Sequence, residues 1–269
     1  MAAPSSFAFA KYEGTGNDFV VLEGETALAF EDSRAPALCD RHFGIGADGV
    51  LLVLPPVTPG AVGRMRVINA DGSEPEMCGN GLRCMALAVL ASQGRPEGDL
   101  MLDTGAGPKP CVVRRQGGGA QVTIGMGVVR YVASRPLDLP GETHVAHLVD
   151  AGNPHAILFD EISASERARL GPLLERHAAF PHRTNVEFAS MGEAGIELQV
   201  WERGVGFTLA CGTGACATAV AAWYTGQLAG TSVHVRLPGG LLHIERLEGG
   251  EVAMTGPARH VYSGLWSHS

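Results

Sequence analysis

Short apolar runs separated by turn-forming residues dominate the sequence. Runs rich in Val, Ile and Leu and bounded by Gly, Pro, Asn or Asp are typical of β-strands. They predict strands at 19–22, 50–54, 65–68, 111–114, 121–124, 156–159, 197–201, 233–237, 241–244 and 252–255. Helical spacing of apolar residues predicts helices at 80–92, 163–177 and 213–225. Because strands outnumber helices, the pattern indicates an α+β fold.

Two sequence elements occur twice in the same order. Residues 16–22, Gly-Asn-Asp-Phe-Val-Val-Leu, are echoed 136 residues later by 152–158, Gly-Asn-Pro-His-Ala-Ile-Leu. Residues 78–84, Cys-Gly-Asn-Gly-Leu-Arg-Cys, are echoed 133 residues later by 211–216, Cys-Gly-Thr-Gly-Ala-Cys. Two echoes at nearly the same offset predict a duplicated architecture, in which each half supplies a turn and a cysteine-headed helix. The boundary between the halves is expected near residues 125–145.

Two short segments close to this boundary carry turn residues. Residues 116–119, Gln-Gly-Gly-Gly, lie between two predicted strands and are typical of a hairpin turn. Residues 136–141 begin with Pro and end with Pro-Gly, which makes them the better candidate for an interdomain linker.

Composition and charge describe an ordinary folded protein. Of 269 residues, 45% are hydrophobic and 18% are charged, and the mean hydropathy is +0.10, which excludes the disordered and fibrous classes. A net charge of −8 without a basic stripe argues against a nucleic acid partner. No apolar run approaches the ~18 residues that span a bilayer, so no membrane partner is expected. The first residues lack a secretory signal pattern, which favours the cytoplasm.

The six cysteines are expected to stay reduced in that compartment. None forms a Cys-x-x-Cys pair, and no Cys/His cluster has the spacing of a zinc site, so no metal is expected. Four of the cysteines lie among apolar residues and are interpreted as core: Cys39, Cys84, Cys111 and Cys216.

Cys78 and Cys211 each precede a predicted helix whose first turn contains two glycines. The N–H groups of a first turn lack partners within the helix, and the helix dipole is positive there. Each Cys-Gly-x-Gly element therefore predicts a cradle for a small anion, and the same position favours the thiolate form of the cysteine. A lone cysteine of this kind is more often a buried packing residue, but two within a repeat favour a functional role.

Two such cysteines suit the inversion of a stereocentre. A carbon held between two thiols has a base on one face and an acid on the other, so a proton removed from one face is returned to the opposite one. A thiol nucleophile would instead need a histidine as its base. Among the histidines, His155 lies in a motif, Gly-Asn-Pro-His, where a role in the turn or core is favoured over a catalytic one.

Further polar residues near the repeated elements suit an amino-acid ligand. Four asparagines lie in turns, which is ordinary turn chemistry for each alone: Asn17, Asn69, Asn153 and Asn185. Together they offer donors and acceptors to a ligand rich in ammonium and carboxylate groups. Glu202-Arg203 shortly precedes Cys211 and matches the two ends of an amino acid, since Arg binds carboxylates and Glu binds ammonium groups. A solvated surface pair is the alternative for these two residues.

Residues 44–49, Gly-Ile-Gly-Ala-Asp-Gly, match the Gly-x-Gly-x-x-Gly motif of dinucleotide-binding proteins. They precede a predicted strand and do not join a strand to a helix, so the motif lacks its structural context. The sequence shows no nicotinamide or flavin site and no Lys in a pyridoxal phosphate context. No cofactor is therefore expected.

Several segments together resemble the diaminopimelate epimerases over nearly the whole chain. They are Lys-Tyr-Glu-Gly-Thr-Gly-Asn-Asp-Phe at 11–19, Arg-His-Phe-Gly-Ile-Gly-Ala-Asp-Gly at 41–49, Asn-Ala-Asp-Gly-Ser at 69–73, Met-Cys-Gly-Asn-Gly-Leu-Arg-Cys at 77–84, Gly-Asn-Pro-His at 152–155, Glu-Arg-Gly at 202–204 and Ala-Cys-Gly-Thr-Gly-Ala-Cys at 210–216. Proline racemases and phenazine-pathway isomerases share the fold of this family but not this whole set.

The resemblance implies a cofactor-independent epimerase that interconverts LL- and meso-2,6-diaminopimelate in lysine and peptidoglycan precursor biosynthesis. It implies two pseudo-symmetric domains, each a mixed or antiparallel sheet curled around a central helix, with the site in the cleft between them. The domains would be 1–130 and 131–257, with the tail 258–269 returning to the first. The family also implies a homodimer.

Residue by residue, the resemblance implies that Cys78 and Cys211 are the acid/base pair. It implies that the two amino-acid ends of the substrate are held by Asn17, Asn69, Asn153, Asn185, Glu202 and Arg203. It further implies that the carboxylate at the reacting carbon is bound by the backbone N–H groups of Gly79, Asn80, Gly212 and Thr213. Gly49 departs from the family pattern, because some members carry Gln there, and a water is expected to replace that contact.

Two other functions remain open on the sequence alone. One is a racemase or isomerase of the same fold that acts on another amino acid. Such an enzyme would not need Arg203, because only diaminopimelate has a second charged end for this residue to bind. The other is a non-catalytic amino-acid-binding protein, which needs anion cradles but not two thiols.

Overall fold

The computed structural model describes residues 6–75 and 78–267. The strands are β1 (Ser6–Gly14), β2 (Asn17–Glu23), β3 (Gly49–Leu54), β4 (Gly63–Asn69), β5 (Gly98–Thr104), β6 (Gly107–Gln116), β7 (Gly119–Val128), β8 (Arg130–Leu139), β9 (Glu142–Asp150), β10 (Pro154–Leu158), β11 (Asn185–Gly192), β12 (Gly195–Glu202), β13 (Gly206–Phe207), β14 (Ser232–Leu237), β15 (Gly240–Arg246) and β16 (Glu251–Ser267). The helices are α1 (Gly24–Leu28), α2 (Ala35–Cys39), α3 (Gly79–Ser92), α4 (Ala164–Glu175) and α5 (Gly212–Tyr224), with short 3-10 helices at Asp32–Arg34 and Glu248–Gly250.

The chain divides into two compact units. The first unit comprises Met1–Ile124 and Gly256–Ser269, and the second is Gly125–Thr255. The chain leaves the first unit within β7 and returns to it within β16. The domain bounds inferred from the resemblance, 1–130 with 258–269 and 131–257, remain a prediction.

The sheet of the first unit is mixed. Its strand order is β1-β2-β3-β4-β5-β6-β7-β16, and β16 also pairs with β1. The pairs β2/β3 and β4/β5 are parallel, whereas β1/β2, β3/β4, β5/β6 and β6/β7 are antiparallel. Helix α3 packs against the strands from β1 to β6 and is therefore the central helix of this unit.

The sheet of the second unit has the same mixed character. Its strand order is β16-β15-β14-β12-β11-β10-β9-β8, and β13 pairs with β12. The pairs β10/β11 and β12/β14 are parallel. Helix α5 packs against β8 to β12, β14 and β15, so it occupies the central position that α3 has in the first unit.

The central helices are apolar on nearly every side, which is typical of a helix surrounded by its own domain. In α3 the buried residues run without interruption from Gly79 to Leu90, and they include Arg83, whose guanidinium donates to Thr15 Oγ1 and to the carbonyl of Pro257. The predicted sheet-rich α+β class, with a central helix in each half, is confirmed.

The sequence repeat extends to the register of the strands. In the first unit, Phe19 on β2 lies opposite Gly49 on the parallel strand β3. In the second unit, His155 on β10 lies opposite Asn185 on the parallel strand β11. Both members of the second pair follow their counterparts by 136 residues, so the two units place equivalent residues at equivalent points of their sheets.

The two turn segments predicted near the boundary have different outcomes. Gln116 pairs with Gly119 at the end of the β6–β7 hairpin, which confirms the predicted turn. The linker predicted at 136–141 is wrong, because Pro136 pairs with Val145 inside the β8–β9 hairpin. Strand β8 is the last in the strand order of its unit, and an edge strand accommodates proline because one row of its backbone N–H groups needs no partner.

Candidate active site

Cys78 and Cys211 are the N-cap residues of α3 and α5. Both have an extended backbone, with φ −135° and ψ 98° at Cys78 and φ −127° and ψ 109° at Cys211. Each Sγ accepts a hydrogen bond from the backbone N–H three residues further on, at 3.3 Å from Gly81 and 3.4 Å from Gly214. The two motifs therefore share one local geometry, which places a sulfur at the positive end of each helix.

The glycines after the cysteines permit this close approach. A Cβ at Gly81 would lie 3.3 Å from Cys78 Sγ, and one at Gly214 would lie 3.2 Å from Cys211 Sγ. Both distances are tighter than ordinary van der Waals contact, so a side chain at either position would displace the sulfur. The predicted anion-binding residues form the buried first turns of the two helices: Gly79, Asn80, Gly212 and Thr213.

The surroundings of Cys211 oppose ionisation. Burial of the thiol, followed by the negative charges of Glu202 and Glu187, raises the pKa of Cys211 well above its usual value. The Thr213 hydroxyl, 3.5 Å from Sγ, and the Gly214 N–H act in the opposite direction. The expectation that a helix N-terminus favours the thiolate is therefore wrong for Cys211, because desolvation and two carboxylates outweigh the dipole. Cys78 is only partly buried.

The other four cysteines pack in the interior. Cys84 and Cys216 lie inside the central helices, Cys39 ends α2, and Cys111 lies on β6; all four are buried. Burial raises the pKa of Cys39 to about 11 and that of Cys111 to about 12. The prediction that these cysteines are core residues is confirmed.

The predicted site residues of the first unit meet at one end of its central helix. Asn80, at the start of α3, donates from Nδ2 to Asn17 Oδ1 at 3.3 Å. Asn17 in turn donates to Asp48 Oδ2 at 2.7 Å. Asn69 lies opposite Gly49, the residue after Asp48, and donates to the Ser73 hydroxyl at 2.9 Å. The structure thus brings Asn17, Asn69 and Asn80 together around the first cysteine-headed helix.

A network of charged residues holds Asn17 in place, and sequence reasoning missed it. The Lys11 ammonium lies 2.7 Å from Asp18, and Arg41 donates to both oxygens of Asp18 at 2.8 and 3.1 Å. Arg41 also donates to Asp48 at 2.7 Å, the carboxylate that accepts from Asn17. Burial alone would raise the pKa of Asp18, but hydrogen bonds from Arg41 and Lys11 outweigh it and hold this pKa at about 2.

Asp18→Asn is expected to lower the free energy of unfolding at pH 7 by about 1–2 kcal/mol, after discounting for solvent screening. Because the folded pKa of Asp18, about 2, lies below the unfolded value of 3.8, its contribution is present above the unfolded pKa and is lost as the pH falls through the folded pKa. Urea unfolding of both proteins between about pH 7 and pH 3 checks this. A difference in stability that stayed constant below about pH 4 would contradict the assignment.

In the second unit, a chain of hydrogen bonds runs from Asn153 to a buried carboxylate. His155 Nε2 lies 2.8 Å from Asn153 Oδ1, and His155 Nδ1 lies 2.6 Å from Glu187 Oε1. The side chains of His155 and Glu187 have no exposed surface. Glu187 was not among the residues expected from the sequence, and the only signal for it was its place two residues after Asn185.

The remaining predicted residues of the second unit also contact one another. Asn185 donates to the Pro154 carbonyl at 3.1 Å and accepts from the Arg203 backbone N–H at 2.9 Å. Glu202 accepts from the Thr208 hydroxyl at 2.6 Å. Burial raises the pKa of Glu202, and hydrogen bonds from Thr208 and Cys211 oppose this effect. Glu202 and Arg203 therefore border the same cysteine-headed helix as Asn153 and Asn185.

A second residue that sequence reasoning missed shapes the turn after Glu202-Arg203. Glu175, at the end of α4, is buried and accepts from the Gly204 backbone N–H at 3.0 Å and from Trp201 Nε1 at 2.9 Å. The exposed Arg183 lies 3.4 Å from the same carboxylate. The turn that carries Arg203 is therefore fixed from the side of α4.

No other centre with obvious chemistry stands out among residues 6–75 and 78–267. This part of the chain has no group of three or more His, Cys, Asp or Glu side chains that could hold a metal ion. It also contains no helix that is long and apolar enough to cross a membrane. A surface pocket of about 480 Å³ in the second unit is lined by Tyr131, Trp223 and Tyr224, among others, and by none of the predicted site residues.

The family model described as diaminopimelate epimerase matches residues 9–132 and 147–261. The chain belongs to the diaminopimelate epimerase family. The resemblance inferred from the motifs is thereby confirmed, and so is the expectation that the chain is an isomerase.

Named diaminopimelate epimerases resemble the chain along almost their full length. The diaminopimelate epimerase of Synechocystis sp. is 42% identical over 279 residues, covering 96% of this chain and 98% of that protein. The diaminopimelate epimerase of Thermosynechococcus vestitus is also 42% identical, over 286 residues, covering 96% of this chain and 99% of that protein. The family assignment therefore holds across both units.

Solved structures of low sequence identity share the epimerase fold. A predicted epimerase from Pseudomonas aeruginosa superposes with a TM-score of 0.76 at 18% identity, covering 97% of this chain and 99% of that one. A probable proline racemase from Agrobacterium radiobacter gives a TM-score of 0.75 at 17% identity, covering 97% and 92%. At these identities the likeness concerns the fold alone.

Proposed function

We propose that this protein interconverts LL- and meso-2,6-diaminopimelate without a cofactor, by a two-base proton transfer at the α-carbon. The observation that carries the proposal is the pair of cysteine N-caps, Cys78 and Cys211, which have matching geometry at the heads of the two central helices. Membership of the diaminopimelate epimerase family supplies the substrate. The reaction serves lysine and peptidoglycan precursor biosynthesis.

The chemistry needs one thiolate and one thiol in each turnover. The thiolate takes the α-proton and becomes a thiol, and the electron pair left on carbon is delocalised into the adjacent carboxylate. The other thiol gives its proton to the opposite face and becomes a thiolate, so protons balance and the configuration is inverted. Cys78 is the base and Cys211 the acid in one direction, and the roles exchange in the other.

The helix heads stabilise the charge that builds up on the reacting end. The backbone N–H groups of Gly79 and Asn80 and of Gly212 and Thr213 bind the carboxylate next to the α-carbon. Oriented N–H groups stabilise a developing oxyanion without reorganisation during the reaction. The raised pKa of Cys211 keeps this residue protonated before it acts as the acid.

The side chains around the helix heads hold the rest of the substrate. They are Asn17, Asn69, Asn153, Asn185, Glu202 and Arg203. Arg203 binds the carboxylate at the end that does not react, and the carboxylate of Glu202 suits an ammonium group. The expected position of the site in a cleft between the two domains stays a prediction.

The family resemblance supports two further proposals. The protein is a homodimer, which sedimentation equilibrium of the purified chain tests directly. It acts in the cytoplasm, where its six cysteines stay reduced.

Purified protein incubated with LL-diaminopimelate in D₂O is expected to form the meso isomer with deuterium at the inverted α-carbon. The product gains deuterium because the acid that protonates the new face exchanges with solvent. Chiral separation follows isomerisation, and mass spectrometry follows label uptake. Isomerisation without label would exclude the two-base route, and conversion of another amino acid but not diaminopimelate would favour the racemase alternative.

A further inference from the structure

The two cysteine-headed helices rest on side chains of opposite polarity. In the first unit, a Cβ at Gly81 would lie 2.9 Å from Leu51 Cδ2, so an apolar side chain packs beneath the first turn of α3. In the second unit, a Cβ at Gly214 would lie 2.9 Å from Glu187 Oε1, so a carboxylate occupies the same place beneath α5. Leu51 and Glu187 are equivalent by the 136-residue repeat of the parallel strand pairs.

The residue that contacts Glu187 also differs in polarity from its equivalent in the first unit. His155 is the repeat equivalent of Phe19, so the apolar pair Phe19 and Leu51 is replaced by the polar pair His155 and Glu187. Both polar side chains are fully buried, and among the described residues Glu187 Oε2 has no hydrogen-bond partner. Burying such a pair costs more than burying an apolar one. The first unit shows that packing alone is satisfied by Phe and Leu.

The hydrogen bonds of His155 determine the orientation of Asn153. A carboxamide oxygen only accepts, so His155 Nε2 donates to Asn153 Oδ1. The 2.6 Å contact between Nδ1 and Glu187 Oε1 fixes the orientation of the ring, which keeps Nε2 directed at Asn153 Oδ1. Because Asn153 Oδ1 faces His155, the Nδ2 group of Asn153 is left to donate a hydrogen bond to a ligand.

We propose that Glu187 is a positioning residue of the site: through His155 it fixes Asn153 as a hydrogen-bond donor to a carboxylate of the substrate. This inference rests on the proposed function, since it names the substrate group that Asn153 binds. Glu187 itself does not touch the substrate.

The test replaces His155 and Glu187 with Phe and Leu, the residues at the equivalent positions of the first unit. His155→Phe alone leaves the Glu187 carboxylate buried without its hydrogen-bond donor, and Glu187→Leu alone leaves His155 Nδ1 without its partner. Each single variant is therefore expected to have a lower Tm than the double variant His155→Phe/Glu187→Leu. The double variant is expected to fold but to have a KM for diaminopimelate raised about tenfold or more, with a smaller change in kcat.

Two further variants separate positioning from packing. Glu187→Gln can still donate to Nδ1 of a neutral ring, which keeps the proton on Nε2, so KM is expected to stay within about threefold of wild type. In an Asn153→Ala background, the double replacement is expected to raise KM by less than about twofold, because the residue it positions is gone. Glu197→Leu makes the same change at an exposed carboxylate on β12 and is the matched control, with wild-type KM expected.

The outcomes are distinct. Wild-type KM in the double variant would overturn the proposal and leave the pair with a packing role. A further tenfold rise in the Asn153→Ala background would also overturn it, because Glu187 would then act independently of Asn153. Absence of diaminopimelate turnover in wild type would contradict the proposed function instead. In that case ¹⁵N-histidine NMR still reports whether the hydrogen bond at Nδ1 of His155 is retained in Glu187→Gln and lost in Glu187→Leu.

Discussion

Cys78→Ala and Cys211→Ala are each expected to lower kcat for diaminopimelate epimerisation by about 10²–10⁴-fold or more, with the fold intact. Each variant lacks one of the two groups that exchange protons with the α-carbon, and the other cannot reach both faces. The measurement is the rate of meso isomer formation from LL-diaminopimelate by each purified variant. Circular dichroism and the Tm show whether the chain is folded.

The matched controls are the second cysteines of the two motifs. Cys84→Ala and Cys216→Ala remove sulfurs from the interiors of α3 and α5. They are expected to lower the Tm, because each leaves a small cavity, and to retain activity. Full activity in Cys78→Ala or in Cys211→Ala would end the two-base proposal.

The second large effect concerns the end of the substrate that does not react. L-lysine has the chain of diaminopimelate without one carboxylate, so it lacks the group that Arg203 is proposed to bind. Removing one partner of a desolvated charged pair costs roughly 2–5 kcal/mol, or about 30-fold to several thousand-fold in rate or affinity. We expect no detectable racemisation of L-lysine by wild type. Arg203→Met is expected to lose most of its diaminopimelate activity without a matching gain for lysine.

The measurement is kcat/KM for both substrates on wild type, on Arg203→Met and on a control. Arg236→Met makes the same change at an exposed arginine on β14 and is expected to behave like wild type. Comparable kcat/KM values for lysine and diaminopimelate on wild type would show that Arg203 does not select the second carboxylate. The racemase alternative would then be preferred.

The central helices could be predicted closely because local signals define them. The helices predicted at 80–92 and 213–225 are observed as Gly79–Ser92 and Gly212–Tyr224. Long apolar spacing predicts the helix, and a Cys-Gly step with an extended N-cap defines its start. The predicted helix at 163–177 is shorter, Ala164–Glu175, with Ser163 as its N-cap.

Strands with polar or proline residues were harder to predict. Each of the ten predicted strands overlaps an observed one, but six observed strands were missed: β1, β5, β8, β9, β11 and β13. Strand β11 is buried from Asn185 to Ala189 and contains Glu187, whereas a charged residue in a short segment usually indicates a solvent-facing position or a turn. The burial of Glu187 depends on His155, which is distant in the sequence, and no local pattern reports it.

The residues of the candidate site also differ in how far the sequence could predict them. The cysteines and glycines could be identified because their role depends on a helix start, a local feature. The network of Lys11, Asp18, Arg41 and Asp48 depends on ion pairs between separate strands and loops, and composition does not report those. Glu175 was missed for the same reason, since it acts on a turn near Gly204 from the end of a different helix.

The return of β16 to the first unit affects the order in which the chain becomes structured during synthesis. Ser6 on β1 pairs with Ser267 on β16, so a strand that is translated before the second unit has a partner that is translated after it. The residues of the second unit are contiguous and are all available before that partner is translated. Pairing of such distant segments is slow and leaves strand edges exposed in the meantime. The half of the protein that is begun first is therefore the half that is completed last.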